Sequence, residues 1–463
     1  MTQALRHDAM RARNLALVLA AVGARESVTR AALAEMTGLT KTTVSKLVGD
    51  LIEGGLVVET GAVRDGERGR PGVEIRISGQ HVAALGLEVN VDYLAVCVVD
   101  LARTVRLRRT QAVDNRAAPP VDVIARLGDL ASAVVDEAVE NGLRVVGGVL
   151  AVPGPVDMTS GVVHNAPNLG WRDVPLASLL RFPFPVRVEN EANLAALGEL
   201  WFGSGLPDFL HVSGEIGIGA GLVVRGRLFR GAHGFAGELG HVVVSPDGPP
   251  CRCGGRGCLE QYAGQDALLT AARAAASVRP APVPPAAAPG NPPGGMPPRE
   301  DAGKAGETDK SRETGTSGKT GASWETRTSE ETGTSGEPRE PSSSPEMLLP
   351  AQQGVAWVLS RLQEGDADAR AACERAAWAL GVALSSAVNL VDPDAIVLGG
   401  IYAPLFPWIG HMVADTLKDR LGQMRGAVPP VVVSRLGAEA AALGAAGQVI
   451  EQVMADPAAL LHT

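Results

Sequence analysis

Three cysteines and one histidine lie close together near the middle of this chain and constrain its folding more than any other feature. Their spacing is His241-x9-Cys251-x-Cys253-x4-Cys258. One imidazole and three thiolates make up the Cys3His donor set of a closed tetrahedral zinc site, which leaves no ligand position for a water molecule. The pattern therefore predicts a structural zinc ion that holds a loop. The alternative is a set of free thiols in a glycine-rich loop.

The cysteine count and the apolar pattern bear on the compartment. Five cysteines, three of them within eight residues, fit a metal site better than a disulfide framework. No run of 18 or more apolar residues occurs, and the stretch MTQALRHDAMRAR lacks the apolar core of a signal peptide. We therefore expect a soluble protein of the cytoplasm, where thiols remain reduced. A length of 463 residues predicts two or three domains.

Charge is distributed unevenly along the chain. Residues 1–80 carry 11 Lys and Arg against 9 Asp and Glu, a net charge of +2, whereas the whole chain has a net charge of −9. The remainder of the chain therefore has a net charge of −11. Because nucleic acids attract positive charge, only the N-terminal part is predicted to face a nucleic acid.

The N-terminal part shows the pattern of three short helices. Apolar residues recur at helical spacing from Asn14 to Val22, and a second helix is bracketed by Thr29 and Gly38. A third helix opens after Thr40 with an apolar stripe on one side. The residues of its polar face are Lys41, Thr42, Thr43, Ser45 and Lys46. Hydroxyl and cationic groups at the start of such a helix can enter a major groove and contact bases and phosphates.

Two strand-like segments follow the third helix, separated by the tip AVRDGERGRPG. This is the form of a β-wing, in which Arg64, Arg68 and Arg70 would lie along the DNA backbone or the minor groove. We therefore predict a winged helix-turn-helix DNA-binding domain over residues 1–78. The alternative is a protein-binding helical module whose arginines belong to a solvated loop.

Beyond residue 80 the pattern changes to apolar strands that alternate with alanine-rich helices, as in VVGGVLAVPG and ENEANLAALGELWFG. Such alternation predicts an α/β body around a central sheet. Residues 277–347 are rich in Pro and Ala, then in Gly, Thr, Ser and Glu, and the motif ETGTSG occurs there twice. This segment has too few apolar residues to fold alone. We expect a disordered insertion that interrupts a body of residues 81–276 and 348–455.

The body resembles the ROK family of repressors, open reading frames and kinases. The resemblance rests on GIGAGLVVRGRLFRGAHGFAGELGH (217–241) and CRCGGRGCLE (251–260), with weaker matches at 152–155 and 167–171. It implies a two-lobed actin-like, ribonuclease H-like fold, and the helix-turn-helix places the chain in the repressor branch of the family. It also implies a homodimer or a dimer of dimers. All four Cys3His positions match the zinc motif of the family.

Carboxylates suited to a polyol flank the Cys3His motif. Glu238 precedes His241 by three residues, and Glu260 follows Cys258 by two. Ionised carboxylates accept strong hydrogen bonds from sugar hydroxyls. The resemblance implies that Asn190, Glu238, His241 and Glu260 contact the sugar. Taken alone, either glutamate could equally be an exposed surface carboxylate.

Three departures from the kinase pattern of the family argue against phosphoryl transfer. The first phosphate loop is replaced by GLEVNV (86–91), where Glu88 would repel ATP. The second phosphate loop has Glu215 and Ile216 where the kinase pattern has Gly and Thr. The catalytic Asn-Asp pair becomes Asn190-Glu191, whose longer side chain would misplace a proton acceptor. We interpret Glu191 as a sugar ligand, although the kinase-like glycine pair at 399–400 remains.

These observations predict a transcription regulator, with repression as the expected output, rather than an enzyme. Its expected partners are a double-stranded DNA operator and a sugar or sugar phosphate, with no membrane contact, and its expected cofactor is zinc. One alternative is a sugar kinase with residual ATP-dependent hexose phosphorylation. A second is a regulator that has lost sugar binding and senses a protein partner.

Overall fold

The computed structural model describes residues 7–63, 72–116, 118–276 and 350–461. Three predicted wing-tip residues, Arg64, Arg68 and Arg70, and the predicted insertion at 277–347 lie outside the described residues. Among the helices of the described ranges, none combines the length and the apolar character needed to cross a bilayer.

Three helices and a small sheet form the N-terminal part, here called the reader. Its elements are α1 (His7–Gly23), β1 (Val28–Thr29), α2 (Arg30–Thr37), α3 (Lys41–Glu53), β2 (Val57–Val63) and β3 (Gly72–Ile77). The strands pair antiparallel in the order β1-β3-β2. This is the arrangement of a winged helix. The three predicted helices are confirmed, although the first begins earlier than Asn14.

Side-chain caps define where α2 and α3 begin. Thr29 Oγ1 accepts a hydrogen bond from the backbone N–H of Ala32 at 3.3 Å, and Thr40 Oγ1 accepts one from Thr43 at 3.2 Å. Each cap pairs a backbone N–H that the helix leaves free, which stabilises a helix by about 1 kcal/mol. The buried apolar side chains of α3 are Val44, Leu47, Val48 and Leu51. They fix which face of α3 turns inward.

The first lobe of the body is a five-stranded mixed sheet with its helices. Its elements are β4 (Val82–Val89), β5 (Tyr93–Asp100), β6 (Val105–Ala112), α4 (Pro120–Glu140), β7 (Arg144–Val152), β8 (Val156–Asp157), β9 (Val162–Ala166), β10 (Trp171–Pro175), α5 (Leu176–Leu179), β11 (Val186–Asn190) and α6 (Glu191–Phe202). The strand order is β11-β7-β4-β5-β6. β4, β5 and β6 pair antiparallel, whereas β7 and β11 continue parallel to β4. The short strands β8, β9 and β10 form a separate antiparallel sheet.

The second lobe repeats this connectivity. Its elements are β12 (Phe209–Gly214), β13 (Ile218–Val224), β14 (Arg227–Phe229), α7 (Glu260–Ala263), α8 (Gln265–Ala276), α9 (Pro350–Gln363), α10 (Ala367–Val391), β15 (Ala395–Gly400), α11 (Tyr402–Leu421), β16 (Val431–Val433), α12 (Ala440–Ala455) and α13 (Ala458–Leu461). The strand order is β14-β13-β12-β15-β16, again with three antiparallel strands extended by two parallel ones. The predicted two-lobed α/β body is confirmed.

Helices α6 and α12 lie between the two sheets. α12 packs on β4, β5 and β7, α6 packs on β12 and β13, and the two helices pack on each other. α4 covers the opposite side of the first sheet and α11 contacts β15 and β16. The start of α6 therefore lies where the two lobes meet, because α6 follows β11 of the first sheet and packs on the second.

A buried histidine lies in the second sheet. His211 of β12 is 1% exposed, and neither ring nitrogen has a hydrogen-bond partner among the described residues. Burial lowers the pKa of His211 to about 4, against the opposing effect of the nearby Glu199 carboxylate. Glu199 is itself buried and accepts a hydrogen bond from the Ser434 hydroxyl at 2.8 Å. The folded protein therefore holds His211 neutral.

The neutral state of His211 predicts a loss of stability in acid. An unfolded histidine titrates near 6.5, so the folded state binds fewer protons between pH 6.5 and about 4, and stability falls as the pH falls through this window. The loss at pH 5 relative to pH 7 should be about 1–2 kcal/mol. Urea unfolding at both pH values measures it. In His211→Gln the free energy of unfolding should differ less between pH 7 and pH 5 than in the wild type. In the control His411→Gln, which changes an exposed residue, the difference should equal that of the wild type. Equal pH dependence of stability in both variants would contradict the assignment.

Candidate functional site

The polar face of α3 points away from the core of the reader. Lys41, Thr42, Ser45 and Lys46 are exposed. Thr43 is half-buried, and its hydroxyl lies 2.9 Å from that of Thr40. Four of the five side chains predicted on this helix are therefore free to contact DNA, whereas Thr43 also takes part in the cap. Arg68 and Arg70, predicted for the same surface, lie outside the described residues.

The Cys3His motif converges in space. The ligand atoms of His241, Cys251, Cys253 and Cys258 all lie within 4.8 Å of one another. The sulfurs of Cys253 and Cys258 are 3.7 Å apart, and Cys251 Sγ lies 3.8 Å from Nδ1 of His241. Zinc–sulfur bonds of about 2.3 Å in a tetrahedron give sulfur–sulfur distances of about 3.8 Å. The spacing of the donors therefore fits a single metal ion.

Tight turns hold the cysteine loop in place. The N–H of Cys251 donates to the carbonyl of Gly255 at 2.8 Å, and the N–H of Gly255 donates to Cys253 Sγ at 3.4 Å. Gly257 has φ of +66°, and a Cβ there would overlap the carbonyl oxygen of Ser245. Glycine is required at this position for both reasons. The glycines of CRCGGRGC thus let three thiols approach one point.

A cleft of about 340 Å³ opens beside this cluster, between the lobes. Its volume falls in the range of small-molecule sites. All five residues predicted to bind sugar line it: Asn190, Glu191, Glu238, His241 and Glu260. Cys253 reaches the same cleft. The structure thus brings the predicted sugar ligands and the predicted metal ligands into adjoining sites.

Asn190 has a structural part in the cleft. Its Oδ1 accepts a hydrogen bond from the N–H of Asn193 at 3.0 Å and caps α6. Its Nδ2 donates to the carbonyl of Gly154 at 2.9 Å. Asn190 therefore ties the start of α6 to the Pro-Gly-Pro loop after β7, and any sugar contact must use its remaining hydrogen-bonding capacity.

The carboxylates near the metal cluster face one another across the cleft. Glu260 Oε2 accepts a hydrogen bond from the N–H of Ile218 at 3.3 Å. Burial raises the pKa of Glu238, with His241 lowering it and Glu260 raising it further. Nε2 of His241 lies 4.0 Å from Glu238, whereas its Nδ1 lies nearest Cys251. One ring nitrogen of His241 is therefore placed for the metal and the other for the cleft.

Three glutamates meet behind the cleft, where Glu88, Glu191 and Glu215 line a cavity of about 20 Å³. Burial raises the pKa of Glu88 to about 7 and that of Glu215 to about 8. Burial, then the charges of Glu88 and Glu215, raise the pKa of Glu191 well above its usual range. Glu88 and Glu215 are therefore partly protonated at neutral pH, and the raised pKa of Glu191 favours its protonated form.

Glu88 is a buried carboxyl. This residue is 2% exposed and accepts a hydrogen bond from the Tyr93 hydroxyl at 2.7 Å. A buried carboxyl with a pKa of about 7 is only partly charged at neutral pH. Burial thus reduces the charge on which the predicted repulsion of ATP by Glu88 depends. The three glutamates line the small cavity that β4, the end of β12 and the start of α6 border.

Two features of the cleft were not predicted from the sequence. Phe235 is 53% exposed and lines the cleft, offering an aromatic face beside the carboxylates. The guanidinium of Arg252 donates to Asn168 Oδ1 at 2.8 Å and joins the cysteine loop to a loop of the first lobe. The sequence did hold a signal for Phe235, an aromatic residue between polar and glycine neighbours in HGFAGELGH. Nothing local signals the contact between Arg252 and Asn168, because 83 residues separate them.

Comparison with known proteins agrees with this geometry. The sequence matches the ROK family over residues 84–291 and 309–452, and the MarR family over residues 15–68. The xylose repressor of Caldicellulosiruptor bescii is 35% identical over 269 residues, which are 57% of this chain and 67% of that protein.

Solved structures show the same architecture. A ROK family transcriptional regulator, a homolog of the E. coli MLC protein, superposes with a TM-score of 0.69 over 98% of this chain and 100% of its own, at 21% identity. The ROK hexokinase from Thermus thermophilus superposes with a TM-score of 0.54 at 27% identity, over 79% of this chain and 97% of its own. The chain therefore belongs to the ROK family and carries a MarR-type winged helix at its N-terminal end.

Proposed function

We propose that this chain is a DNA-binding transcription regulator, a repressor of sugar-metabolism genes, whose operator affinity changes when a sugar occupies the cleft. One observation carries the proposal: a winged helix with an exposed polar α3 and a carboxylate-lined cleft belong to one compact unit. The xylose repressor relative supports the same pairing of DNA binding and sugar.

The reader supplies the DNA contacts in this proposal. Lys41 and Lys46 neutralise phosphates, and Thr42 and Ser45 offer hydroxyls to base edges or phosphates. Thr43 contributes less, since its hydroxyl is engaged with Thr40. Arg68 and Arg70 belong to the same surface in this proposal and extend it along the backbone or minor groove.

The cleft supplies complementary groups for a polyol. Glu238 and Glu260 accept hydrogen bonds from sugar hydroxyls, and charge-assisted bonds of this kind are about twice as strong as neutral ones. The raised pKa of Glu191 favours its protonated form, which can donate a hydrogen bond, while Asn190 fixes the edge of the cleft through its cap. The aromatic face of Phe235 suits the apolar C–H face of a sugar ring. The ligand is therefore a monosaccharide or a sugar phosphate.

Zinc is the metal proposed for the Cys3His cluster. Four soft and borderline ligands at tetrahedral spacing with no open position favour a structural zinc site. Bound zinc would fix His241, and with it the orientation of the nitrogen that faces the cleft. The cysteine loop would then hold its place beside the sugar.

The assembly follows from the same proposal. The reader occupies residues 1–78 and the body residues 81–276 and 348–455, with an insertion at 277–347. A homodimer, or a dimer of such dimers, would place two copies of α3 on two half-sites of a double-stranded operator. In this proposal the regulator acts in the cytoplasm.

A sugar kinase is the second candidate, because relatives of this fold include a hexokinase. Against it stand Glu191 in place of the kinase aspartate and two further glutamates, Glu88 and Glu215, in the loops that bind phosphate in the kinases. All three carboxyls crowd one small cavity. The chain is therefore assigned as a regulator and not as an enzyme.

Replacing the lysines of α3 should weaken DNA binding. Binding-site selection on the wild-type protein provides the duplex, and fluorescence anisotropy measures its dissociation constant. Lys41→Ala with Lys46→Ala should raise that constant about 10- to 100-fold and reduce the salt slope by about 2, since each lost phosphate contact removes about 0.9. Lys418→Ala, on exposed surface of α11, is the control. Equal affinities of the two variants, or no selected sequence in any condition, would overturn the DNA assignment.

Removing one cleft carboxylate should abolish the sugar response without affecting the reader. Glu260→Gln loses charge-assisted hydrogen bonds to the sugar, so the dissociation constant should rise about 10- to 100-fold. Titration calorimetry with D-xylose and D-glucose measures it. DNA affinity without sugar should match that of the control Glu140→Gln, at the exposed end of α4. If neither sugar binds the wild type and neither alters its DNA affinity, the sugar part of the proposal fails.

Elemental analysis of the purified protein should find one zinc per chain. Cys258→Ser should lose the metal, lower the melting temperature and weaken sugar binding, because the loop beside the cleft is no longer held. Cys373→Ser changes a buried cysteine of α10 outside the cluster and should retain the zinc. A Cys258→Ser protein with full zinc content would contradict the assignment of the ligands.

A further inference from the structure

Helix α12 touches the first sheet, helix α6 and helix α1 of the reader. Its first half packs between β4 and α6, and its last turns reach α1. The short α13 follows it and packs against α1 as well. A single helix therefore runs from the gap between the lobes to the DNA-binding part.

The contact between α12 and α6 is made by backbone. A Cβ at Gly444 of α12 would overlap the carbonyl oxygen of Leu194, and a Cβ at Gly198 of α6 would overlap the carbonyl oxygen of Ala440. On the opposite side, a Cβ at Gly86 of β4 would overlap the carbonyl oxygen of Ala442. Because backbone meets backbone at these positions, a shift of α6 must displace α12 or break the packing.

The start of α12 lies next to the sugar cleft. Glu191 and Ala192 line both the cleft and the small cavity that Ala440 and Ala441 enclose from the side of α12. The Tyr93 hydroxyl contacts Glu88 of the same cavity and the carbonyl of Ala438 just before α12. A ligand that moves Glu191 therefore acts on the first turn of α12.

The far end of α12 holds the reader. The Met454 methyl group packs over Gly23 at the end of α1, and Leu461 of α13 packs over Gly54 at the end of α3. Buried residues of the reader and of α12 belong to one continuous apolar core, which includes Val18, Ile450 and Val453. The orientation of α3 thus depends directly on the position of α12 and α13.

Open grooves flank this contact. A groove of about 1090 Å³ lies on one side of the junction, lined by reader residues such as Arg76 and by body residues such as Arg103. Another of about 490 Å³ lies at the end of α3, lined by Gly54 and Leu461. The grooves leave space on these sides of the reader into which it could tilt about α12.

We infer that α12 carries the sugar signal: occupation of the cleft displaces α6 through Glu191, α12 moves with α6, and the reader tilts with α12 and α13. This inference rests on the proposed function and names the element that couples its two sites. The coupling is reciprocal, so DNA must change the affinity for the sugar by the same factor as the sugar changes the affinity for DNA.

Two uncoupling variants of the full chain test the inference. Gly444→Ala forces α12 away from α6, with Gly128→Ala as the control, since a Cβ at Gly128 of helix α4 meets nothing within 4 Å. Met454→Ala with Leu461→Ala removes the contacts on the reader, with exposed Met424→Ala as the control. None of these residues lines the cleft.

The measured quantity is the ratio of the DNA dissociation constants with and without saturating D-xylose or D-glucose. Allosteric ratios are typically about 5- to 150-fold, and both uncoupling variants should bring the ratio close to 1 while the controls retain it. Without DNA, the dissociation constant of each variant for the sugar should stay within about threefold of the wild-type value. Added DNA should no longer change that constant. A variant that is merely less stable would keep the ratio.

Two results overturn the inference in different ways. A wild type that responds to sugar, together with folded variants that respond equally, contradicts the role of α12 and leaves the proposed function standing. A wild type whose DNA affinity responds to neither sugar contradicts the proposed function and the coupling with it. If Gly444→Ala fails to fold, the ratio measured for the double variant Met454→Ala with Leu461→Ala tests the inference alone.

Discussion

The contact of bare backbone between α6 and α12 is the constraint on which the rest of this structure depends. Gly198 and Gly444 let each helix meet the carbonyl groups of the other, and Gly86 lets β4 approach α12 from the opposite side. The two sheets can then share one pair of helices as their common middle layer. Alanine-rich helices suit this layer because larger side chains would separate the backbones, and the low aromatic content of the chain agrees with such packing.

The middle layer formed by α6 and α12 positions the cleft. The start of α6 brings Asn190 and Glu191 to the gap between the lobes, and the cysteine loop brings His241 and Glu260 from the second lobe. Burial raises the pKa of both Glu191 and Glu238; the charges of Glu88 and Glu215 raise that of Glu191 further, whereas His241 lowers that of Glu238.

Raised pKa values reduce the repulsion among the three glutamates of the small cavity, Glu88, Glu191 and Glu215. Three ionised carboxylates around a cavity of about 20 Å³ would repel one another strongly. Raising the pKa of Glu88 to about 7 and of Glu215 to about 8 removes much of that charge near neutral pH. The Tyr93 hydroxyl then satisfies one oxygen of Glu88. The carboxyl groups of this cavity thus lie where β4, α6 and the start of α12 meet.

Features that depend on local spacing could be predicted from the sequence alone. They are the caps Thr29 and Thr40, the apolar stripe of α3, the alternation of strands and helices and the Cys3His motif, each of which is set by residues close together in the chain. The raised pKa of Glu88, the two hydrogen bonds of Asn190 and the contact of Arg252 with Asn168 could be seen only in the folded structure, because burial and pairing depend on residues far apart in the chain. The same holds for α12: its glycines are visible in the sequence, but the backbones that they admit come from β4 and α6, hundreds of residues earlier.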